Sequence, residues 1–281
     1  MIRIEYDIRQ NKSPFLATAI HNGHDVDEEV EKYFVIDEFA RLREEDPFTG
    51  FLAKISQNYM IVHTSRFQTD LNRSREGALY RNPEQAWGLD VWKADTPVSL
   101  LNQLLNHYDH FYKQLGLFLK GLIQSSGYLI IYDFHSYNYM RIDGVKADPA
   151  QNPEINVGTG SLNRNLWGPV VESFCDALRR FDYFGRKLDV RENIKFRGGY
   201  LSRWIHEHFP DRTCVLAIEL KKFFMDEWNG AVDVLQLYEL RKAFLSTLPA
   251  ILRQAERIGK ERFPAFSGEK LNPSEGTGLN K

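Results

Sequence analysis

The sequence has few cysteines, no long hydrophobic run and no recognisable export signal. Its two cysteines, Cys175 and Cys214, lie far apart and follow no metal-ligand spacing, which excludes a disulfide-rich secreted scaffold and favours reduced thiols. No apolar run approaches the length that spans a bilayer, and residues 1–14 lack the pattern of a signal peptide. We therefore expect a cytoplasmic protein without a membrane partner.

The sequence also lacks an excess of charge of either sign. Its 36 basic and 38 acidic side chains give a net charge of −2, so the composition predicts no nucleic-acid partner. No linker or repeat divides the chain, and we expect a single domain over residues 1–260, followed by a tail over 261–281 that is rich in Gly, Pro and charge. A homo-oligomer is compatible with this composition.

Short apolar runs alternate with segments of helical period. Four runs resemble buried strands because they are short and partly β-branched: 15–20, 59–64, 128–135 and 214–220. The segments of helical period are 33–43, 99–124, 168–181, 201–209 and 234–258. The alternation predicts an α/β fold, with a mixed, largely parallel central sheet flanked by helices. Segment 137–165 is too long for a plain connection, and we expect it to overhang a site.

Polar side chains that can bind a metal or carry a proton follow three of the predicted strands. His21 and His24 flank an Asn-Gly turn, Asp133 and His135 end the third run, and Glu219 lies near the end of the fourth. In α/β folds this end of the strands is where chemistry usually occurs. Each feature alone also has an ordinary explanation: a polar turn, a histidine bonded to a carbonyl, or an ion pair with a neighbouring lysine.

An arginine-rich stretch follows the second predicted strand. Arg66, Arg73 and Arg75 occur there with Asn72, in a segment without a helical apolar stripe. Because arginine binds a carboxylate through two parallel hydrogen bonds, such a loop suits an acidic substrate. A solvated basic loop is the alternative interpretation.

Taken together and in order, the stretches HNGH, RFQTDLNR, DFHS and AIELKKFFMDEW resemble the N-formylglutamate amidohydrolase family. The resemblance covers roughly 15 to 230 and includes IKFRGGYLSR, in which Gly199 and Tyr200 lie in a segment similar to a family signature. It implies a zinc carboxypeptidase-like, or phosphorylase/hydrolase-like, fold. It also implies a Zn²⁺ cofactor and hydrolysis of a small acidic N-acyl amino acid, with N-formyl-L-glutamate, a compound of histidine degradation, as substrate.

The resemblance further implies which residues hold the metal. In the wider zinc hydrolase group a histidine, a second ligand three residues on and a distant histidine bind zinc, and the matching positions are His21, His24 and His135. The second ligand is usually glutamate, so His24 departs from the pattern, and Asp46 is the predicted substitute. Three such ligands with an open fourth position are what a catalytic zinc requires.

The remaining implied roles concern the substrate and the proton. Arg66 is expected to polarise the scissile carbonyl, and Glu219 to act as the general base. Asn72 and Arg73 match the pair that binds the substrate carboxylate. The predicted substrate-binding residues are Asn72, Arg73, Arg75, Gly199 and Tyr200.

Three questions stay open at this point. A carboxypeptidase or a deacylase for another acyl amino acid would use the same residues, and so would a non-catalytic protein that binds carboxylates. Arg141 and Arg164, near the long segment 137–165, are candidates for a second substrate carboxylate or are ordinary surface arginines.

Overall fold

A mixed sheet forms the centre of the protein in a computed structural model that describes residues 2–142, 145 and 147–263. Within these residues the sheet has seven strands in the order β1-β3-β2-β4-β7-β5-β6. Only the β1/β3 and β5/β7 pairings are antiparallel. The predicted α/β fold with a largely parallel sheet is therefore confirmed. The strands are β1 Tyr6–Arg9, β2 Phe15–Ala19, β3 Asn58–Val62, β4 Leu129–Tyr137, β5 Ile155–Gly158, β6 Val190–Glu192 and β7 Thr213–Lys221.

Helices cover both faces of the sheet. They are α1 Glu28–Glu31, α2 Glu38–Glu44, α3 Thr49–Ala53, α4 Val98–Ser126, α5 Arg164–Arg180, α6 Tyr200–His208 and α7 Val234–Arg262, with single 3-10 turns at Arg75–Gly77 and Pro83–Ala86. Apolar residues three to four apart along α4 pack on one face, and the helix ends at Gly127, whose φ of 81° suits glycine. No helix in the described part of the chain is long and apolar enough to cross a membrane.

The alternation of side chains along β4 divides the core between the two faces. Ile130 and Tyr132 pack with α5 and α7, whereas Leu129 and Ile131 pack with α4 and α6. Asp133 and His135 have the same parity as Leu129 and Ile131, so they continue that second face toward the carboxyl end of the strand. Polar side chains of β4 therefore lie at the edge of the sheet, beyond the apolar residues that pack against the helices.

Several predicted elements differ from the observed ones. The helix predicted over 33–43 begins only at Glu38, as α2, because Asp37 caps its start by accepting from the amide of Ala40 at 2.8 Å. Strands β1, β5 and β6 were not predicted, and β5 lies inside the long segment 137–165. The predicted tail begins within α7, and its residues 264–281 lie outside the described residues. The single-domain boundary at 260 stays a prediction.

Candidate active site

Three predicted site residues meet at the carboxyl ends of neighbouring parallel strands. His21 follows β2, His135 lies near the end of β4 and Glu219 near the end of β7. His135 and Glu219 are register partners, and β2 pairs with β4 on the other side. The structure therefore brings these three predicted residues to one edge of the sheet.

His21, Asp46 and His135 form a buried group whose potential ligand atoms all lie within 4.8 Å of one another. One carboxylate oxygen of Asp46, Oδ2, lies 3.4 Å from Nδ1 of His21 and 3.1 Å from Nδ1 of His135. The amide of Asp46 donates to the carbonyl of His21 at 3.0 Å, which fixes the turn after α2 against the end of β2. The three side chains thus present two nitrogens and one oxygen to a common point.

The outer nitrogen of each imidazole is bonded to a second carboxylate. Nε2 of His21 lies 2.8 Å from Asp70 Oδ1, and Nε2 of His135 lies 3.0 Å from Asp133 Oδ2. A ring nitrogen that donates to a carboxylate leaves the other nitrogen with a lone pair, which is the arrangement that metal-binding histidines usually show. The donor set and its outer partners therefore fit a catalytic zinc ion.

The electrostatics of this group depend on the same contacts. Burial alone would lower the pKa of His135, but the carboxylate of Asp133 and the hydrogen bond with Asp46 raise it well above its usual value. Burial would raise the pKa of Asp46, yet the bonds from His135 and His21 hold it well below its usual range. A proton or a cation at the imidazoles therefore helps to balance the buried carboxylate charge of Asp46.

His24 lies outside this group, which corrects its prediction as the second ligand. Its Nδ1 bonds to Glu45 at 2.5 Å, its Nε2 lies 3.4 Å from Glu38, and about a third of its side chain is exposed. The Asn-Gly turn explains the change of direction: Gly23 packs directly on the backbone of His63, where no β-carbon would fit. Position 24 therefore faces α2, and the predicted substitute, Asp46, occupies the place of the missing ligand.

Glu219 lies beside the imidazoles in the same cavity. Only 9% of the residue is exposed. Burial raises the pKa of Glu219 to about 7, the charge of His135 opposes this, and the carboxylates of Asp46 and Asp133 add to it. A carboxyl group in this range can accept and return a proton near neutral pH.

Arg66 is held in place by three hydrogen bonds. Its Nη2 donates to Asp70 at 2.8 Å, its Nε to the hydroxyl of Tyr80 at 3.0 Å and its Nη1 to the carbonyl of Glu44 at 3.3 Å. The guanidinium also lies 4.9 Å from the ring centroid of Trp87. Because arginine has five N–H donors, two remain for a molecule in the cavity, which Arg66 lines.

The side chain of Asn72 packs closely against the backbone at Gly199. Oδ1 of Asn72 accepts from the amide of Leu201 at 3.0 Å, and its carbonyl accepts from the amide of Tyr200 at 3.2 Å. A β-carbon at Gly199 would lie 2.1 Å from Asn72 Oδ1, so the close approach requires glycine. Arg73 follows Asn72 along the wall of the same cavity.

Two predicted substrate-binding residues point elsewhere. Arg75 pairs with Asp109 on the surface of α4 at 2.8 Å, and Tyr200 packs edge-on against Tyr112 at 5.6 Å between ring centroids. Neither side chain lines the cavity. Arg75 and Tyr200 are close in sequence to Arg73 and Gly199, which do line the cavity. A continuous sequence motif does not show which of its side chains face the site.

The cavity has a volume of about 390 Å³ and is rich in cationic groups. Arg141 lines it, whereas Arg164 pairs with Glu192 at 3.2 Å away from it. Sequence reasoning missed several lining residues: Glu44, Trp87, Lys195, Arg197 and Lys222. Lys195 and Arg197 belong to the stretch IKFRGGYLSR, so the resemblance of that stretch to the family could have indicated them.

A larger cavity, of about 670 Å³, lies between β1 and α4 and contains His63, His107 and His110. Within the described residues, only His21, Asp46 and His135 bring three ligand atoms within reach of one ion. The described residues of the larger cavity therefore form no such group.

Comparison with known proteins identifies the fold and the family. The chain is similar to the N-formylglutamate amidohydrolase of Ralstonia eutropha JMP134, with a TM-score of 0.70 and 16% identity over 93% of this chain and 100% of that one. A gene product of Agrobacterium tumefaciens matches with a TM-score of 0.62 and 14% identity, over 91% and 96% of the two chains. No curated protein sequence matches the chain. The model of the N-formylglutamate amidohydrolase family matches residues 13–225, which is well over half of the sequence, and the chain therefore belongs to that family.

Proposed function

We propose that the protein is a zinc-dependent amidohydrolase that converts N-formyl-L-glutamate to formate and L-glutamate. The observation that carries this proposal is the convergence of His21, Asp46 and His135 beside Glu219 in a cationic cavity. Membership of the N-formylglutamate amidohydrolase family supports the choice of reaction.

His21, Asp46 and His135 would hold the metal through Nδ1, a carboxylate oxygen and Nδ1. A zinc ion in such a site makes a water molecule more acidic and polarises a carbonyl group. Asp70 and Asp133 fix the orientation of the two imidazoles and increase their basicity.

Glu219 is the general base in this proposal. It accepts a proton from the attacking water and returns it to the nitrogen of the departing amino acid, so that the amide bond breaks with balanced protons. Its burial beside the imidazoles places the carboxylate next to the reacting atoms and keeps bulk water away. Its register partnership with His135 fixes that position through the backbone of the sheet.

Arg66 and Arg73 interact with different negatively charged groups of the substrate. The two remaining donors of Arg66 stabilise the negative charge that develops on the formyl oxygen. Arg73, with Asn72, binds the α-carboxylate of the substrate. Because Asp70 bonds to both His21 and Arg66, one buried carboxylate aligns the metal ligand and the arginine that stabilises the developing charge.

The test is a release assay with the purified full-length chain. N-formyl-, N-acetyl- and N-succinyl-L-glutamate are supplied with added zinc, and the reaction is repeated after chelation. We expect formate release from the formyl compound that disappears with chelator and returns with zinc. Stoichiometric zinc binding with all three compounds inert would overturn the proposal. Binding of acyl amino acids without turnover would favour the non-catalytic alternative.

A further inference from the structure

The catalytic cavity continues into a second chamber of about 470 Å³. The residues that line both spaces mark the passage between them: Trp87, Tyr137, Asn138, Arg141, Lys195 and Phe196. Asn72 and Arg73 line the catalytic cavity but not the second chamber. The two cations of the passage therefore lie in a different part of the cavity from the pair proposed to bind the α-carboxylate.

Arg141 extends into this passage from an anchored turn. The buried carboxylate of Glu227 accepts from the amides of Tyr139 and Met140, each at 2.8 Å, immediately before Arg141. Arg43 lies 3.4 Å from the same carboxylate. The backbone that presents Arg141 is therefore fixed on two sides, although the side chain itself is 45% exposed.

Contacts with the described residues use only part of the charge and hydrogen-bonding capacity of Arg141. Its Nη1 bonds to the buried carboxylate of Glu44, and its guanidinium lies 5.9 Å from the ring centroid of Trp87. Several of its five N–H donors remain for a ligand.

Lys195 supplies the second cation. Its Nζ donates to Asn152 at 2.6 Å and lies 5.1 Å from the ring centroid of Tyr137. Among the described residues no carboxylate oxygen lies within 4.0 Å of this ammonium group. Burial and repulsion by the nearby charge of Arg141 lower the pKa of Lys195. An anion bound between the two cations would relieve this repulsion.

We propose that Arg141 and Lys195 are the residues that bind the side-chain carboxylate of the substrate and so determine its preference over a neutral side chain. The inference rests on the proposed amidohydrolase function and assigns to it two specificity-determining residues. Arg141 and Lys195 each carry one positive charge and Glu44 carries one negative charge, so these three groups leave one positive charge for one carboxylate. The α-carboxylate occupies Asn72 and Arg73, and the side-chain carboxylate occupies the passage.

The experiment compares N-formyl-L-glutamate with N-formyl-L-glutamine, which has nearly the same shape but a neutral side chain. The wild type is expected to favour the glutamate compound in kcat/KM. Arg141→Gln and Lys195→Met should each lower kcat/KM for the glutamate compound by about 10- to 100-fold, and change it little for the glutamine compound. Arg164→Gln is the matched control, because Arg164 is similarly exposed and also pairs with glutamates, but lies outside the cavity.

The outcomes separate this inference from the proposed reaction. Equal losses for both substrates, or no loss in either variant, would overturn this assignment. Arg141→Gln removes the nearer of the two arginines beside the buried Glu44, so Lys195→Met, which breaks no ion pair of the described residues, gives the independent measurement. If the wild type hydrolyses neither compound, calorimetric binding of both compounds to the full chain decides. A preference for the glutamate compound that the two variants abolish keeps the assignment, although the reaction fails.

Discussion

His135 on β4 and Glu219 on β7 are directly paired in register across two parallel strands. Paired residues of neighbouring strands project from the same face of a sheet, so backbone hydrogen bonds keep the two side chains adjacent. The predicted metal ligand and the predicted base therefore share one rigid support, and either can be altered while the other stays in position.

Replacement of Glu219 by glutamine tests this separation of roles. We expect kcat to fall by about 100- to 10,000-fold because the amide cannot accept the proton, while zinc binding stays near that of the wild type. Steady-state kinetics and metal content after dialysis measure the two effects. Loss of zinc together with activity would assign Glu219 to the metal instead.

We expect substitutions of Asp46 and His24 to have opposite effects on metal binding. Asp46→Asn should weaken zinc binding by more than about 100-fold, since loss of an outer partner alone can cost 10- to 100-fold. His24→Gln should leave zinc stoichiometry unchanged, because His24 bonds to Glu45 and Glu38 outside the group. Competition with a chromogenic chelator measures both affinities. The opposite result would restore His24 as the second ligand.

Gly199→Ala tests the contact between the α6 N-terminus and Asn72. The new β-carbon would lie 2.1 Å from Asn72 Oδ1, so Asn72 must move and Arg73 with it. We expect KM for N-formyl-L-glutamate to rise by about tenfold, as expected when a hydrogen bond to a charged group is lost, with a smaller change in kcat. Gly121→Ala is the control, because its β-carbon would meet no atom closer than 3.6 Å. Equal behaviour of the two variants would contradict this explanation.

The buried His206 should make the free energy of unfolding depend on pH. Its Nε2 accepts from the amide of Val215 at 3.2 Å and its Nδ1 bonds to Ser161 at 2.8 Å, so only the neutral ring fits. Burial lowers the pKa of His206 to about 4. Between pH 6.5 and 4 the unfolded chain therefore binds more protons than the folded one at this residue, and stability falls as the pH falls.

The shift at His206 corresponds to about 3 kcal/mol of unfolding free energy lost across that range. His206→Gln keeps an acceptor for the Val215 amide but has no titratable group, and its unfolding free energy should fall less steeply below pH 6.5. Urea unfolding at several pH values measures the difference. Parallel curves for the two proteins would show that His206 does not titrate on unfolding.

The central strands and their polar ends could be predicted because their signals are local. Each of the four predicted runs is short and mostly apolar, and a His or Glu near the end of such a run lies near a strand end. The helix predicted over 33–43 was placed too early because a single capping residue, Asp37, decides where α2 begins. Strands β5 and β6 are four and three residues long, which is too short for a periodic pattern.

The rest of the site depends on contacts between distant segments. Asp46 reaches the imidazoles only because the turn after α2 bonds back to His21. Lys195 reaches the passage through its contacts with Asn152 and Tyr137, which no spacing along the chain indicates. Arg141 was identified as a candidate together with Arg164, and only the folded geometry distinguishes the two.

The hydroxyl of Thr18, within β2, donates to Asp133 at 2.7 Å, and Asp133 in turn holds the imidazole of His135. In the proposed metal site, a residue of the sheet interior with no exposure to the cavity would thereby influence how strongly His135 donates its electrons. Among relatives of this protein, differences in metal preference or turnover need not trace to the cavity wall. Changes as small as threonine to valine in the middle of β2 are a second place to look for them.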